Sequence, residues 1–111
     1  MEALRLDLQG IHEYQQNRHP FLFVDFVEEV IPGMSAKGYR DLTPEDWFFA
    51  VHFPGEPMMP GMLQIEALVQ LCALNVLTLP GKKGELVYLT GADNLKFAKK
   101  VVPGDRLQMG N

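Results

Sequence analysis

His52-Phe-Pro-Gly-Glu-Pro-Met-Met-Pro-Gly61 runs without a break into Met62-Leu-Gln-Ile-Glu-Ala-Leu-Val-Gln-Leu-Cys-Ala-Leu-Asn-Val-Leu77. The reading of this stretch decides the fold. Its first half is a stiff loop, because prolines at 54, 57 and 60 fix φ at three points while Gly55 and Gly61 permit turns that other residues resist. Pro60 suits the first turn of a helix. From Gly61 to Leu77 the single charge is Glu66. A helix apolar nearly all round must be enclosed by other structure.

Glu66 is the residue that calls for an explanation. An unpaired charge in an apolar interior costs several kcal/mol even after relaxation, so Glu66 is expected to be partnered, neutralised or turned toward a cavity. Gln70 lies four residues on and shares its face, and the small residues Ala67 and Ala73 leave room for a ligand or a second backbone. The plain alternative is a polar surface stripe of Glu66 and Gln70 on an otherwise buried helix.

Upstream of the loop, Pro20 to Val30 is rich in Phe and Val and is followed by Pro32-Gly33, which reads as a strand and a turn. Ser35 to Leu42 is the antiparallel return strand. Thr43-Pro44-Glu45-Asp46 has the composition of a helix start, with Thr43 as the cap and Pro44 in the first position. Trp47, Phe48 and Phe49 then supply large apolar surface just before the loop. A short amphipathic helix is predicted over 9–16, while Leu4, Leu6 and Leu8 alternate with polar residues and leave the first ten residues open.

Downstream, Leu79-Pro80-Gly81-Lys82-Lys83-Gly84 is a turn. Glu85 to Tyr88 and Ala92 to Ala98 read as one long strand with an irregularity near Gly91. Val101-Val102-Pro103-Gly104-Asp105 is the next turn, and Arg106 to Met109 begins another strand. Strands on both sides of one apolar helix imply an antiparallel sheet wrapped around it.

A chain of 111 residues is one domain. The net charge of −4 and the pI near 5.2 argue against nucleic acid as the main partner. The lone Cys72 sits in the apolar helix as a small buried hydrophobe, no disulfide can form within the chain, and a reducing cytoplasm suits it. The amino-terminal residues show no basic region followed by an apolar run, so no secretory signal is expected. Gln64, Glu66, Gln70 and Asn75 interrupt the helix, which favours a core helix over a membrane span.

His52-Phe53-Pro54-Gly55, Pro57, Met59-Pro60-Gly61-Met62-Leu63 and Glu66-Ala67-Leu68-Val69-Gln70 together resemble the signature of the (3R)-hydroxyacyl-[acyl-carrier-protein] dehydratases of the FabZ type. Arg18-His19-Pro20-Phe21-Leu22-Phe23-Val24-Asp25 resembles that family's first strand. Asp93-Asn94-Leu95-Lys96-Phe97 and Val101-Val102-Pro103-Gly104-Asp105 resemble its later ones, so the likeness covers residues 17–107. The resemblance implies an α+β hot-dog fold, with an antiparallel sheet around one long helix. It also implies a hydro-lyase of fatty acid biosynthesis that works without metal or organic cofactor. Its partner would be acyl carrier protein with a phosphopantetheine-linked acyl chain. The assembly implied is a homodimer or dimer-based hexamer, with His52 and Glu66 of one site drawn from different subunits.

Loss of water across C2 and C3 of a β-hydroxyacyl thioester requires a base for the C2 proton, an acid for the C3 hydroxyl and a donor for the enolate oxygen. His52 suits the base, because histidine titrates near neutrality. Glu66 suits the acid if burial keeps it protonated. The amide of Gly61, at the helix start, can donate to the thioester oxygen where the helix dipole favours negative charge. The resemblance carries the same three roles onto these residues.

The plain alternative for His52 is a loop histidine satisfied by backbone carbonyls. His12 and His19 lack ligand spacing, so no metal site is expected. Lys82, Lys83, Lys96, Lys99, Lys100 and Arg106 form a positive cluster that is either a solvated face or a patch that steers an acidic carrier protein. Val51 stands where the family often has glycine, and Gln64 where it usually has an apolar residue. The family continues for at least two further strands past the position of Asn111, so residues 1–111 are expected to be a hot-dog domain without its C-terminal strands. Two rival readings are a thioesterase of the same fold and a non-catalytic module that binds acyl chains or carrier protein. Isomerisation of the product is disfavoured, because the isomerising branch typically has Asp at the position of Glu66.

Overall fold

A computed structural model describes residues 2–86 and 100–110. In chain order the elements are β1 (Leu4–Leu6), α1 (Leu8–Tyr14), β2 (Phe26–Ile31), β3 (Ser35–Asp41), α2 (Trp47–Val51), α3 (Gly61–Leu77) and β4 (Arg106–Gly110). The strands form one antiparallel sheet in the order β1-β2-β3-β4.

The β2–β3 hairpin follows from its turn residues. Pro32 supplies the fixed φ of a second turn position and Gly33 takes φ 77°, a left-handed value that glycine adopts without penalty. The Met34 N–H closes the turn on the Ile31 carbonyl at 2.8 Å, and the Gly33 N–H reaches the Asn75 carbonyl at 2.8 Å. The hairpin tip is thereby tied to the last turn of α3.

Helix α3 lies against the sheet at Gly38. A Cβ at this position would stand 2.5 Å from the Phe26 carbonyl oxygen and 3.1 Å from Leu71 Cδ1, so only glycine lets strand and helix approach this closely. Gly38 pairs with Val27 on one side and Met109 on the other, at the middle of the sheet. Around this contact Ile11, Phe23, Val24, Val27, Val30, Phe48, Leu71, Leu74 and Leu77 are fully buried. The Phe23 and Phe48 rings meet edge to face at 6.1 Å, joining the segment before β2 to α2.

Several expectations change. The predicted strand from Pro20 begins only at Phe26, because the Phe23 N–H and the Phe21 carbonyl bond to the side chain of Gln70 instead of a neighbouring strand. The helix predicted to start at Thr43 starts at Trp47 with Asp46 as its N-cap. The Asp46 carboxylate turns back to accept the Thr43 N–H at 3.0 Å and to pair with Arg40, so residues 43–46 form a turn. At the amino terminus Leu4–Leu6 is a strand, and Asp7 caps α1 by accepting the Gly10 N–H at 2.8 Å.

Helix α3 spans Gly61–Leu77 as predicted, but among the described residues it is enclosed on one side only. Ile65, Ala67, Gln70, Leu71, Ala73, Leu74 and Leu77 are buried, whereas Leu68 and Val76 are exposed and Met62 is 71% exposed. Cys72 is half-buried, not fully so, and burial pushes its thiol pKa up. Among the described residues, no helix is long and apolar enough to cross a membrane. Of the strand predicted over Glu85–Tyr88 and Ala92–Ala98, all but Glu85 and Leu86 lies outside the described residues.

Candidate active site

His52 sits at the C-cap of α2, where its N–H donates to the Phe48 carbonyl at 2.9 Å. From there the proline loop folds back on itself. The Phe53 and Glu56 main chains exchange two hydrogen bonds of 3.0 and 2.9 Å, and the Met58 N–H donates to the His52 carbonyl at 2.9 Å. The His52–Phe53 peptide is cis.

The imidazole is placed by its Nδ1, which lies 3.0 Å from the Met58 carbonyl oxygen. A carbonyl can only accept, so Nδ1 is the donor in this contact, and a neutral ring so placed has its lone pair on Nε2. A backbone carbonyl thus satisfies one ring nitrogen, as the plain reading of a loop histidine expects. That same bond leaves the other nitrogen as the one able to take a proton.

The second half of the loop is then fastened to the residues before β4. Met59 donates its N–H to the Val101 carbonyl at 2.7 Å, and Lys100 pairs with Glu56. Gln64, one turn into α3, donates from Nε2 to the Met59 carbonyl at 3.1 Å. Pro60 is the N-cap and Gly61 the first helical residue. The first helical amides have no carbonyl within the helix to bond to, and the dipole makes this end favourable for negative charge. Gly61 therefore presents the kind of donor that an oxyanion needs.

Glu66 lies on α3 in the wall of a groove of about 220 Å³. Gln15, Gln16 and Asn17 stand over one side of it, and Val69, Ala73, Leu77 and Leu86 give it an apolar side. The carboxyl is half-buried and partnered, because Gln70 Nε2 donates to Glu66 Oε2 at 2.9 Å. Gln70 itself is 1% exposed. The expected room beside Ala73 exists, whereas Ala67 is buried in the core. The surface-stripe alternative fails for Gln70.

Within this chain Glu66 and Gln70 share the groove wall, and His52 is not among its lining residues. Gln15, Gln16 and Asn17 line the groove as well, which the sequence reading does not predict. Three successive amide side chains at the end of an amphipathic helix were the available signal. The expected positive cluster is largely neutralised. Lys82 faces Glu85, Lys83 faces Glu13, Lys100 faces Glu56 and Arg106 faces Asp41, while Lys96 and Lys99 lie outside the described residues.

The family model for the FabA-like domain matches residues 16–110. The chain is 48% identical over 106 residues to the 3-hydroxyacyl-[acyl-carrier-protein] dehydratase FabZ of Clostridium novyi (strain NT), covering 96% of this chain and 75% of the relative. It is 46% identical over 104 residues to the enzyme of the same name from Clostridium botulinum (strain Okra / Type B1), covering 94% of this chain and 72% of the relative.

Proposed function

The chain belongs to the FabA-like family, and from that premise we propose that it removes water from (3R)-3-hydroxyacyl chains on acyl carrier protein, giving the trans-2-enoyl thioester of fatty acid biosynthesis. The observation that carries this reading is Glu66, a single carboxyl held by a buried amide in the wall of a groove on an otherwise apolar helix. The names of the two relatives, both hydroxyacyl dehydratases at nearly half identity, support it.

The reaction needs only three groups. His52 Nε2 takes the C2 proton, and the electrons of that bond move onto the thioester oxygen, where the Gly61 amide donates to the developing charge. When the carbonyl re-forms, the C2–C3 double bond forms with it. The C3–O bond breaks, and Glu66 gives its proton to the departing hydroxyl, which leaves as water. Proton return from histidine to carboxylate through solvent resets the pair.

The acid and the base are proposed to meet across a subunit interface, in a homodimer or dimer-based hexamer. Two observations support this. His52 does not line the groove that holds Glu66, and α3 exposes Met62, Leu68 and Val76 on the face away from the sheet. Acyl carrier protein is the proposed carrier of the substrate and the cytoplasm the proposed compartment.

The test is hydration of an enoyl thioester, read as loss of ultraviolet absorbance. A dehydratase run in reverse bleaches the conjugated thioester without releasing thiol. Release of free thiol from an acyl thioester would establish the thioesterase instead, and binding without turnover would establish a non-catalytic module.

A further inference from the structure

We propose that Gln64 is a positioning residue that steadies the Gly61 amide on the line of the developing enolate oxygen, an inference that rests on the reading of Gly61 as the oxyanion donor. The side chain of Gln64 reaches back past the helix start, where Nε2 donates to the Met59 carbonyl at 3.1 Å. Its own N–H donates to the Pro60 carbonyl at 3.1 Å. One residue thus grips the two successive carbonyls on either side of the Pro60 Cα. A backbone carbonyl only accepts, so the side-chain amide has one orientation, with Nε2 toward Met59.

The main chain leading to Gly61 has few freedoms left. The Met59 N–H donates to the Val101 carbonyl at 2.7 Å, the Met59 side chain is buried, and the Pro60 carbonyl also accepts the Leu63 N–H at 3.0 Å. Pro60 has no N–H, and its ring fixes φ, here at −56°. The N–H of Gly61 lies in the same rigid peptide plane as the Pro60 carbonyl and points the opposite way. Holding that carbonyl into the helix therefore aims the N–H out of it.

Direction alone does not make a steady donor, because a peptide plane between a proline and a glycine can rock. It turns by paired changes in ψ of Pro60 and φ of Gly61, and glycine resists such changes least. Pro60, the N-cap, makes no side-chain cap bond, which leaves the first-turn amides to a ligand but leaves the helix end without its usual brace. The bond from Gln64 to Met59 braces the same end from the carbonyl side and occupies no main-chain N–H of the first turn. Gln64 touches no reacting atom, and acts by narrowing the swing of the plane that carries the donor.

Gln64→Leu and Gln64→Met test this, since neither side chain can donate and both suit a helix. In enoyl-thioester hydration each is expected to lower kcat by about three- to tenfold with KM within about twofold, a part of the roughly hundredfold or more that loss of an oxyanion donor costs. The shape of the pH profile should not change, because Gln64 does not titrate. In chains carrying isotopically labelled glycine, the amide order parameter of Gly61 should fall in both variants, while those of Gly33 and Gly38 in the hairpin stay as they are. A kcat close to the natural value in both, a lowered kcat with the Gly61 amide as rigid as before, or misfolding of both chains would make Gln64 merely structural and overturn the proposal. Failure of the underlying reading is a separate result: the natural chain itself would then hydrate no enoyl thioester, whatever the Gly61 amide does in the variants.

Discussion

His52 and Met58 are bound to each other twice. The Nδ1 of His52 lies 3.0 Å from the Met58 carbonyl, and the Met58 N–H donates to the His52 carbonyl at 2.9 Å. The seven residues from His52 to Met58 are closed into a ring by these bonds, and the three prolines inside or beside it reduce what the closure costs in chain entropy. The histidine's orientation and the loop's shape are therefore one property.

His52→Ala should lower turnover by on the order of a hundredfold or more, because the proposed base is lost. The main-chain half of the ring survives the change, so the fold should persist with a loss of about 1 kcal/mol for the missing side-chain bond. Glu66→Gln should give a comparable loss of turnover. Steady-state hydration rates beside thermal melts check both, and near-normal rates in a well-folded Glu66→Gln variant would sink the acid assignment.

If acid and base come from different subunits, two dead variants should make one live site. Mixing His52→Ala and Glu66→Gln chains under conditions that exchange subunits should restore activity, since half of the sites in a mixed dimer keep both residues. Exchange demonstrated by mass labelling, with no return of activity, would refute the shared geometry.

Gly38→Ala should destabilise the chain by about 1–3 kcal/mol or more, the usual range for overpacking. The added methyl would meet the Phe26 carbonyl at 2.5 Å, a main-chain atom in the partner strand that cannot step aside. A lowered urea midpoint with an unchanged m-value would show the effect. Gly81→Ala, where nothing lies within 4 Å of a Cβ, is the control for backbone strain alone, since Gly81 has a φ of 80°.

The Glu56 carboxyl is held below the usual range of a glutamate by a hydrogen bond from Lys100, with the lysine charge acting in the same direction. A depressed folded value means that the pair stabilises the loop above the unfolded pKa. That contribution fades as pH falls through the folded value. The melting temperature of Glu56→Gln should therefore lie slightly below that of the natural chain at neutral pH, with the gap closing once pH drops under 4.5. The pair is fully exposed, so the gap should also shrink in high salt.

Much of this architecture is legible from residue order. Helix α3 announces itself by its apolar run after Pro60, and β3 and β4 by alternation between turn signals. The segment from Pro20 to Asp25 misleads, because its Phe and Val content suits a strand while its hydrogen bonds go to a side chain 47 and 49 residues away. No local pattern contains that partner. Thr43 misleads for the opposite reason: it has the chemistry of a cap, but Asp46 takes that position through its ion pair with Arg40, a residue of β3. At the site, Glu66 stands out as a lone charge, while the amides of Gln15 and Gln70 look like ordinary polar residues until the fold buries them.

Gln70 holds Phe21 and Phe23 by main-chain atoms alone. A grip of that kind is blind to the identity of the side chains it holds. Phe21 is 44% exposed, and replacing it would cost the edge contact of its ring with Phe23 but not the bond its carbonyl accepts from Gln70. Phe23 is constrained by the core it fills, not by the amide that binds it. Substitution at position 21 can therefore change this part of the surface while the main-chain bond to Gln70 persists.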